Sequence, residues 1–292
     1  MKIIISRKGF DSSYGGIPSP ILPDGTILSM PIPNEEDHTN YKQLLVPNQR
    51  KTYWQILREL LRNKRLTEGK VKISLDSRKG YHCHFDPDLR RDSLEKRRGG
   101  DWLPSLGQIG AAQGHLRNEG VEEGDLFLFF GWYKFTELRS ERLCYAEDNY
   151  TNGFHMFFGY LQVGYILKNK EVETNIPSWL KDHPHYRLKR RREDKNNAIY
   201  VSTRKLSFNK DLPGGGTLKF HKDLILTKKN HNLTEWNLDP NIFKDLKITY
   251  HPNAWENGRF KSASKGQEFV VHADQKAINW AKNLIKKHHQ PL

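Results

Sequence analysis

Sulfur is scarce in this chain: of 292 residues two are cysteine, Cys83 and Cys144, and three are methionine. Two distant cysteines make neither a disulfide framework nor the Cys-x-x-Cys pairing of a zinc site. Long apolar runs are missing as well. No stretch reaches the roughly 18–20 apolar residues of a membrane helix, and the mean hydropathy is −0.79. The opening MKIIISRKGF has three isoleucines before charge resumes, too few for the apolar region of a signal peptide. The expectation is a cytoplasmic protein with no membrane segment. Acidic residues are also in deficit, 34 Asp+Glu against 48 Lys+Arg, for a net charge of +14. Balanced ion-pair enrichment does not produce such an excess, whereas attraction to a polyanion uses it, so nucleotide phosphate or nucleic acid (DNA or RNA) is the expected partner.

Aromatic residues make up 11% of the chain and are spread along its length, which argues for a folded core rather than disorder. They concentrate in residues 124–135 (GDLFLFFGWYKF) and 154–168 (FHMFFGYLQVGYILK), two runs rich in strand formers. Each contains a Gly-aromatic pair, Gly131-Trp132 and Gly159-Tyr160. A glycine at that point of a strand marks a bulge or a close backbone approach. Between the runs, residues 136–153 read as a surface loop or a short helix with turns. The pattern predicts an α+β protein: a mixed curved sheet or a small PUA-like barrel, flanked by helices. Without an internal repeat or a Pro/Ser linker, one compact domain over 1–292 is expected, with 121–275 the barrel-like core and 1–120 one wall of the site.

Polar residues gather at the expected strand ends. Residues 2–5 form a strand that runs into a Gly- and Ser-rich loop carrying Ser6, Lys8, Gly9 and Asp11. Such a loop suits a phosphate, although its spacing is neither that of a Walker loop nor that of a dinucleotide fingerprint; equally, Asp11 can cap its own turn. Residues 52–62 have helical spacing with Thr52 as N-cap, and Asp274 caps a closing helix over 274–287. In 81–89 (YHCHFDPDL), alternation puts His82, His84 and Asp86 on one face with Asp88 close by. Two imidazoles and a carboxylate are competent for metal binding or acid–base work, and acid–base or substrate hydrogen bonding is the role assigned here, with no metal and no named cofactor. The small-residue segment 107–116 reads as a helix bearing Gln108 and His115 on one face, for an anion or for tight packing. The run 187–192 (RLKRRR) sets Arg187, Lys189, Arg190, Arg191 and Arg192 beside aromatic residues, a candidate phosphate strip or a solvated face.

Several of these segments together resemble a bacterial, archaeal and phage family, the third of the nucleotide modification associated domain series. The matching stretches are SRKGFDSSYGGIPSPILPDGT, HCHFDPDL, GQIGAAQGHL, the two aromatic strands, HPHY and GQEF. The resemblance implies a role in DNA base hypermodification systems without defining a reaction. The strand pair alone is similar to PUA-like and ASCH-type barrels, which grip RNA or flipped modified bases.

The function expected is therefore an enzyme acting on a nucleotide or base, by transfer or hydrolysis, with a non-catalytic reader of modified bases as the alternative. Asp11, His84, Asp86, Asp88 and His115 are the candidate acids, bases or nucleophiles. Ser6, Lys8, Gly9, Gln108, Trp132, His155, Tyr160, Gln162, Gln267 and Glu268 are the candidate ligand contacts, with Trp132 and Tyr160 stacking on a base. All are expected to converge on one hollow beside the aromatic ribbon.

Overall fold

A computed structural model describes residues 1–62, 65–75, 78–95, 98–148, 150–263 and 268–291. At its centre, among the described residues, is a mixed nine-stranded sheet. Its strands are β1 (Ile3–Arg7), β2 (Ser19–Ile21), β3 (Ser105–Gln108), β4 (Leu126–Arg139), β5 (Arg142–Tyr145), β6 (Phe154–Lys168), β7 (Ala198–Ser202), β8 (Gly215–Thr217) and β9 (Glu268–Val271). The principal order is β9-β1-β4-β6-β7-β3, with β2 and β5 added to β4 and β8 added to β6. Strands β1 and β2 run parallel to β4, and the other pairings are antiparallel.

The two aromatic runs are the long central strands, paired from Phe154↔Tyr133 to Gln162↔Leu126. Both are buried on two faces at their centre, which explains their nearly continuous apolar sequence. A bulge falls between Phe157 and Gly159. A Cβ on Gly159 would sit 2.5 Å from Leu89 and 3.0 Å from the Gly216 carbonyl oxygen, and one on Gly131 would sit 2.9 Å from the Lys8 carbonyl oxygen. The glycines thus mark close approaches, as the sequence pattern indicates. A second irregularity between Val163 and Tyr165 lies where β6 passes from β8 to β7. These breaks curve the sheet, but it does not close into a barrel. Its edges β9 and β3 face each other through side chains, Gln108 to Glu268, with no ladder between them among the described residues.

The stretch after β4 is neither loop nor helix at first: β4 continues to Arg139, and a turn with Ser140 and Glu141 at positive φ leads into β5. Residues 107–116 are likewise divided. Gly107 and Gln108 end β3, and the helix α2 spans Gly110–Asn118. Helix α1 (Tyr53–Leu60) starts with a full capping box, Thr52 and Gln55 each serving the other's backbone N–H. The basic run forms two single turns, α3 (Pro184–Arg187) and α4 (Lys189–Arg192). The closing helix α5 (Gln275–His288) is capped by Asp274, whose carboxylate accepts the Ala277 N–H at 2.9 Å.

Apolar side chains collect in three clusters. The principal one surrounds the central sheet and includes Phe127, Phe129, Tyr200 and Trp236. A second is built by the first eighty or so residues around Phe10, Tyr41, Trp54 and Leu57, with Leu143 of β5. A small third one, with Ile199 and Val201 of β7, lies under the segment that leads to α3. No described helix is long and apolar enough to cross a membrane.

Candidate functional site

The segment 82–88 leaves its short pairing with Thr39–Asn40 and passes along β3, where the backbones of Asp88 and Ser105 exchange hydrogen bonds of 2.9 and 3.0 Å. Extended alternation sends His84 and Asp86 to one side and Phe85 to the other. His82 does not join them; its Nδ1 lies 3.3 Å from the Glu35 carbonyl oxygen. The place at Asp86 is filled by histidines from α3 and the residue before it. His183 Nε2 is 3.3 Å from Asp86 Oδ1, His84 Nε2 is 3.7 Å and His185 Nε2 4.0 Å from Asp86 Oδ2. The Gly107 N–H donates to Asp86 Oδ1 at 2.9 Å. Glycine is required at 107, since a Cβ there would stand 2.2 Å from the His185 ring.

Behind this cluster stands a second row. His84 Nδ1 donates to Asp37 Oδ2 at 3.1 Å, and Arg191 holds Asp37 Oδ1 at 2.6 Å, both partners being buried. His185 Nδ1 donates to Asn197 Oδ1 at 2.9 Å, and Asn197 returns its amide N–H to the His185 carbonyl. Burial alone would raise the Asp86 carboxyl, but the hydrogen bond from His183 and the surrounding histidine rings reverse this and hold it far below the ordinary carboxylate range. Burial likewise drives His185 well below the usual imidazole value.

On the outer side of this cluster is a cavity of about 490 Å³, lined among others by Phe85, Asp88, Arg98, Trp102, Trp179 and His183. The Arg98 guanidinium lies 4.7 Å from the Trp102 ring centroid and pairs with Asp88 Oδ2 at 2.5 Å. Asp88 Oδ1 is buried and, among the described residues, has no hydrogen-bond partner. Burial raises the Asp88 carboxyl above its ordinary value, with Arg98 and Trp102 offsetting part of the rise. A carboxyl so placed exchanges a proton nearer neutral pH than a free one.

Of the remaining candidates, Gly9 lines a small second hollow together with Asp86, and the others make contacts of their own. Glu268, buried at the start of β9, accepts from Lys8 Nζ at 3.0 Å and from Gln108 Nε2, so Lys8, Gln108 and Glu268 form a second cluster on the opposite side of β3 from Asp86. Ser6, buried on β1, pairs with Glu268 in register. His115 shares a 3.0 Å hydrogen bond with Thr249 and stacks near Tyr250. Asp11 accepts the N–H groups of Ser13 and Tyr14, the turn-capping alternative, and Gly9 turns at φ +82° against Met30. Among the described residues, Asp11, Asp86 and His115 thus each keep hydrogen-bond partners of their own, and none bonds to another.

Trp132 is pinned by its indole N–H to the Asn152 carbonyl at 2.6 Å. Tyr160 is fully buried, its hydroxyl bound by Pro213 and His289. His155 Nδ1 accepts the Trp236 indole N–H inside the core, and Gln162 is held by Gly124 and Ser207. Gln267 lies outside the described residues. Of the basic run, Arg187 borders the cavity and Arg191 is the buried partner of Asp37. Arg190 pairs with Glu36, Lys189 with Glu193, and Arg192 lies over Tyr186. The residues not singled out from sequence, Asp37, Asn197, Arg98 and Trp102, are scattered over 160 positions. Only His183 and His185 carried a signal, the His-x-His spacing repeated from 82–84.

Fold and site define an α+β protein with a buried His–Asp cluster at one sheet edge, next to an aromatic and basic cavity. The chain belongs to the nucleotide modification associated domain 3 family, whose model matches residues 2–272. No curated protein and no solved structure matches it.

Proposed function

We propose that the chain is an enzyme of nucleotide modification that takes a nucleotide or base into the cavity between Trp102, Trp179 and Phe85. The observation that carries this reading is the pairing of an aromatic, arginine-bearing cavity with a buried carboxyl, Asp88, in its wall. A volume of about 490 Å³ falls within the roughly 300–1,000 Å³ usual for ligand sites. Flat rings supply stacking for a base, worth about 1–3 kcal/mol each. Arg98 and Arg187 supply charge for phosphate. Asp88, buried in the cavity wall beside Arg98 and Trp102, serves as general acid or base at the base or glycosyl position. The family's association with nucleotide modification supports the substrate class.

The test uses nucleoside monophosphates and short single-stranded DNA and RNA, with binding followed by calorimetry and products by mass spectrometry. Trp102→Ala is expected to weaken binding at least about 10-fold, as a lost stacking contact does. Asp88→Asn is expected to keep binding within a few fold while turnover falls by about 10²–10⁴-fold. Binding that survives Trp102→Ala unchanged removes the cavity from consideration. Binding of modified oligonucleotides with no turnover by the unaltered protein favours the reader instead.

A further inference from the structure

We infer that His84, Asp86 and His185 form a binding site for one divalent first-row transition metal ion. The argument is one of proton positions. His84 Nδ1 faces the Asp37 carboxylate and His185 Nδ1 faces the Asn197 carbonyl oxygen, acceptors that place the ring proton of each histidine on Nδ1. The Asn197 orientation is itself set, because its amide nitrogen donates to a backbone carbonyl. Each Nε2 is left with a lone pair, and both nitrogens lie near the same oxygen, Asp86 Oδ2, at 3.7 and 4.0 Å.

The other carboxylate oxygen already has donors. Asp86 Oδ1 accepts the Gly107 N–H and faces His183 Nε2, which carries that ring's proton because His183 Nδ1 accepts the His185 backbone N–H. Three electron-rich atoms therefore meet, mutually within 4.8 Å, with no proton assigned between them. Ligands about 2.0–2.2 Å from one ion stand roughly 3–4 Å apart, so an ion draws this set together with small side-chain shifts.

The second row has the form that metal sites use. A ligating histidine normally donates its other N–H to a carboxylate or carbonyl, which fixes its tautomer and orientation. Asp37, itself clamped by Arg191, does this for His84, and Asn197 does it for His185. Two imidazoles with one carboxylate favour Zn²⁺, Fe²⁺, Mn²⁺, Co²⁺ or Ni²⁺ over Mg²⁺ and Ca²⁺, which prefer all-oxygen shells. His84, the least buried of the three, provides the route in. The site stands on these contacts alone, whether or not the neighbouring cavity takes a nucleotide.

A more exposed group, His221, Asp223 and His288, also meets the distance criterion, so the experiment is made in a His221→Ala background. Full-length chelator-stripped protein is titrated with Co²⁺, followed by its visible ligand-field absorption, and with Zn²⁺ by calorimetry. One equivalent of each is expected, with no uptake of Mg²⁺. His84→Ala and His185→Gln should each weaken binding at least about 100-fold, and Asn197→Ala, which touches only the second row, about 10–100-fold. Circular dichroism and melting confirm that each variant is folded. His84→Ala, the most exposed substitution, keeps the test decisive if His185→Gln does not fold. Failure to take up Co²⁺ or Zn²⁺ at one equivalent overturns the inference, as does binding unchanged in His84→Ala. Nucleotide affinity, measured separately on the stripped protein, reports on the cavity and not on this site.

Discussion

Arg191 shows how much a single side chain decides here. Taken from sequence it is one of five cations in a strip, yet it is buried and spent on Asp37, which in turn orients His84. Removing one partner of a buried pair leaves the other charged and unsolvated. Arg191→Ala is expected to destabilise the fold by about 3–5 kcal/mol in urea titrations, with Arg191→Lys recovering part of the loss. A loss below about 1 kcal/mol would place Arg191 among the solvated cations. His155 offers a pH test. Burial, with a lesser contribution from Arg7, holds its imidazole well below the usual value. The unfolded chain therefore binds the proton first, near pH 6.5. The stabilising contribution is complete above that pH and is lost as pH falls toward the folded value. One proton gives a slope of about 1.4 kcal/mol per pH unit, and His185 adds a second such group in the same sense. His155→Gln, whose amide oxygen can still accept from Trp236, should reduce the slope of stability between pH 6.5 and 5 by up to one proton. An unchanged slope would show that His155 is protonated in the fold.

At the level of elements, the long strands β4 and β6 are readable from their apolar runs because both faces of each are covered. Their glycines are readable too, since only a missing Cβ permits Leu89 and the Gly216 backbone to approach Gly159 so closely. Gly159→Ala is expected to cost about 1–3 kcal/mol by overpacking, seen as a lowered melting temperature. A neutral result would mean that Leu89 moves aside freely. The hairpin β4–β5 was not legible. Its residues 136–145 are polar because β5 and the end of β4 lie at the periphery of the sheet, so their pattern resembles a loop. The boundary inside 107–116 was hidden for a different reason. Small residues serve both strand and helix, and Gly107 is small because of His185, seventy-eight positions away.

For the molecule as a whole, the cluster around Trp54 and the cluster around the central sheet are joined by continuous chain and by shared hydrogen bonds. Arg142 of β5, for example, donates to the Glu59 carbonyl of α1, and the Leu143 N–H donates to the Glu59 carboxylate at 3.3 Å. We propose that the two clusters unfold together as one domain. Urea transitions followed by tryptophan fluorescence and by far-ultraviolet circular dichroism should coincide. Two separated transitions would divide the chain at the boundary between the clusters.

Composition and short-range pattern were enough to determine that this chain is a basic α+β protein with two aromatic central strands, capped helices and a histidine–aspartate segment suited to proton or ligand chemistry. These properties depend on neighbours within a few residues, which periodicity and capping report directly. Which groups share a site was decided only by the tertiary structure. It gave Asp11 and His115 hydrogen-bond partners of their own, buried Tyr160, and brought His183, His185, Asn197 and Asp37 to the 84–88 segment. Such convergence arises from the order in which strands pair and from the curvature of the sheet, and a linear pattern carries no trace of either.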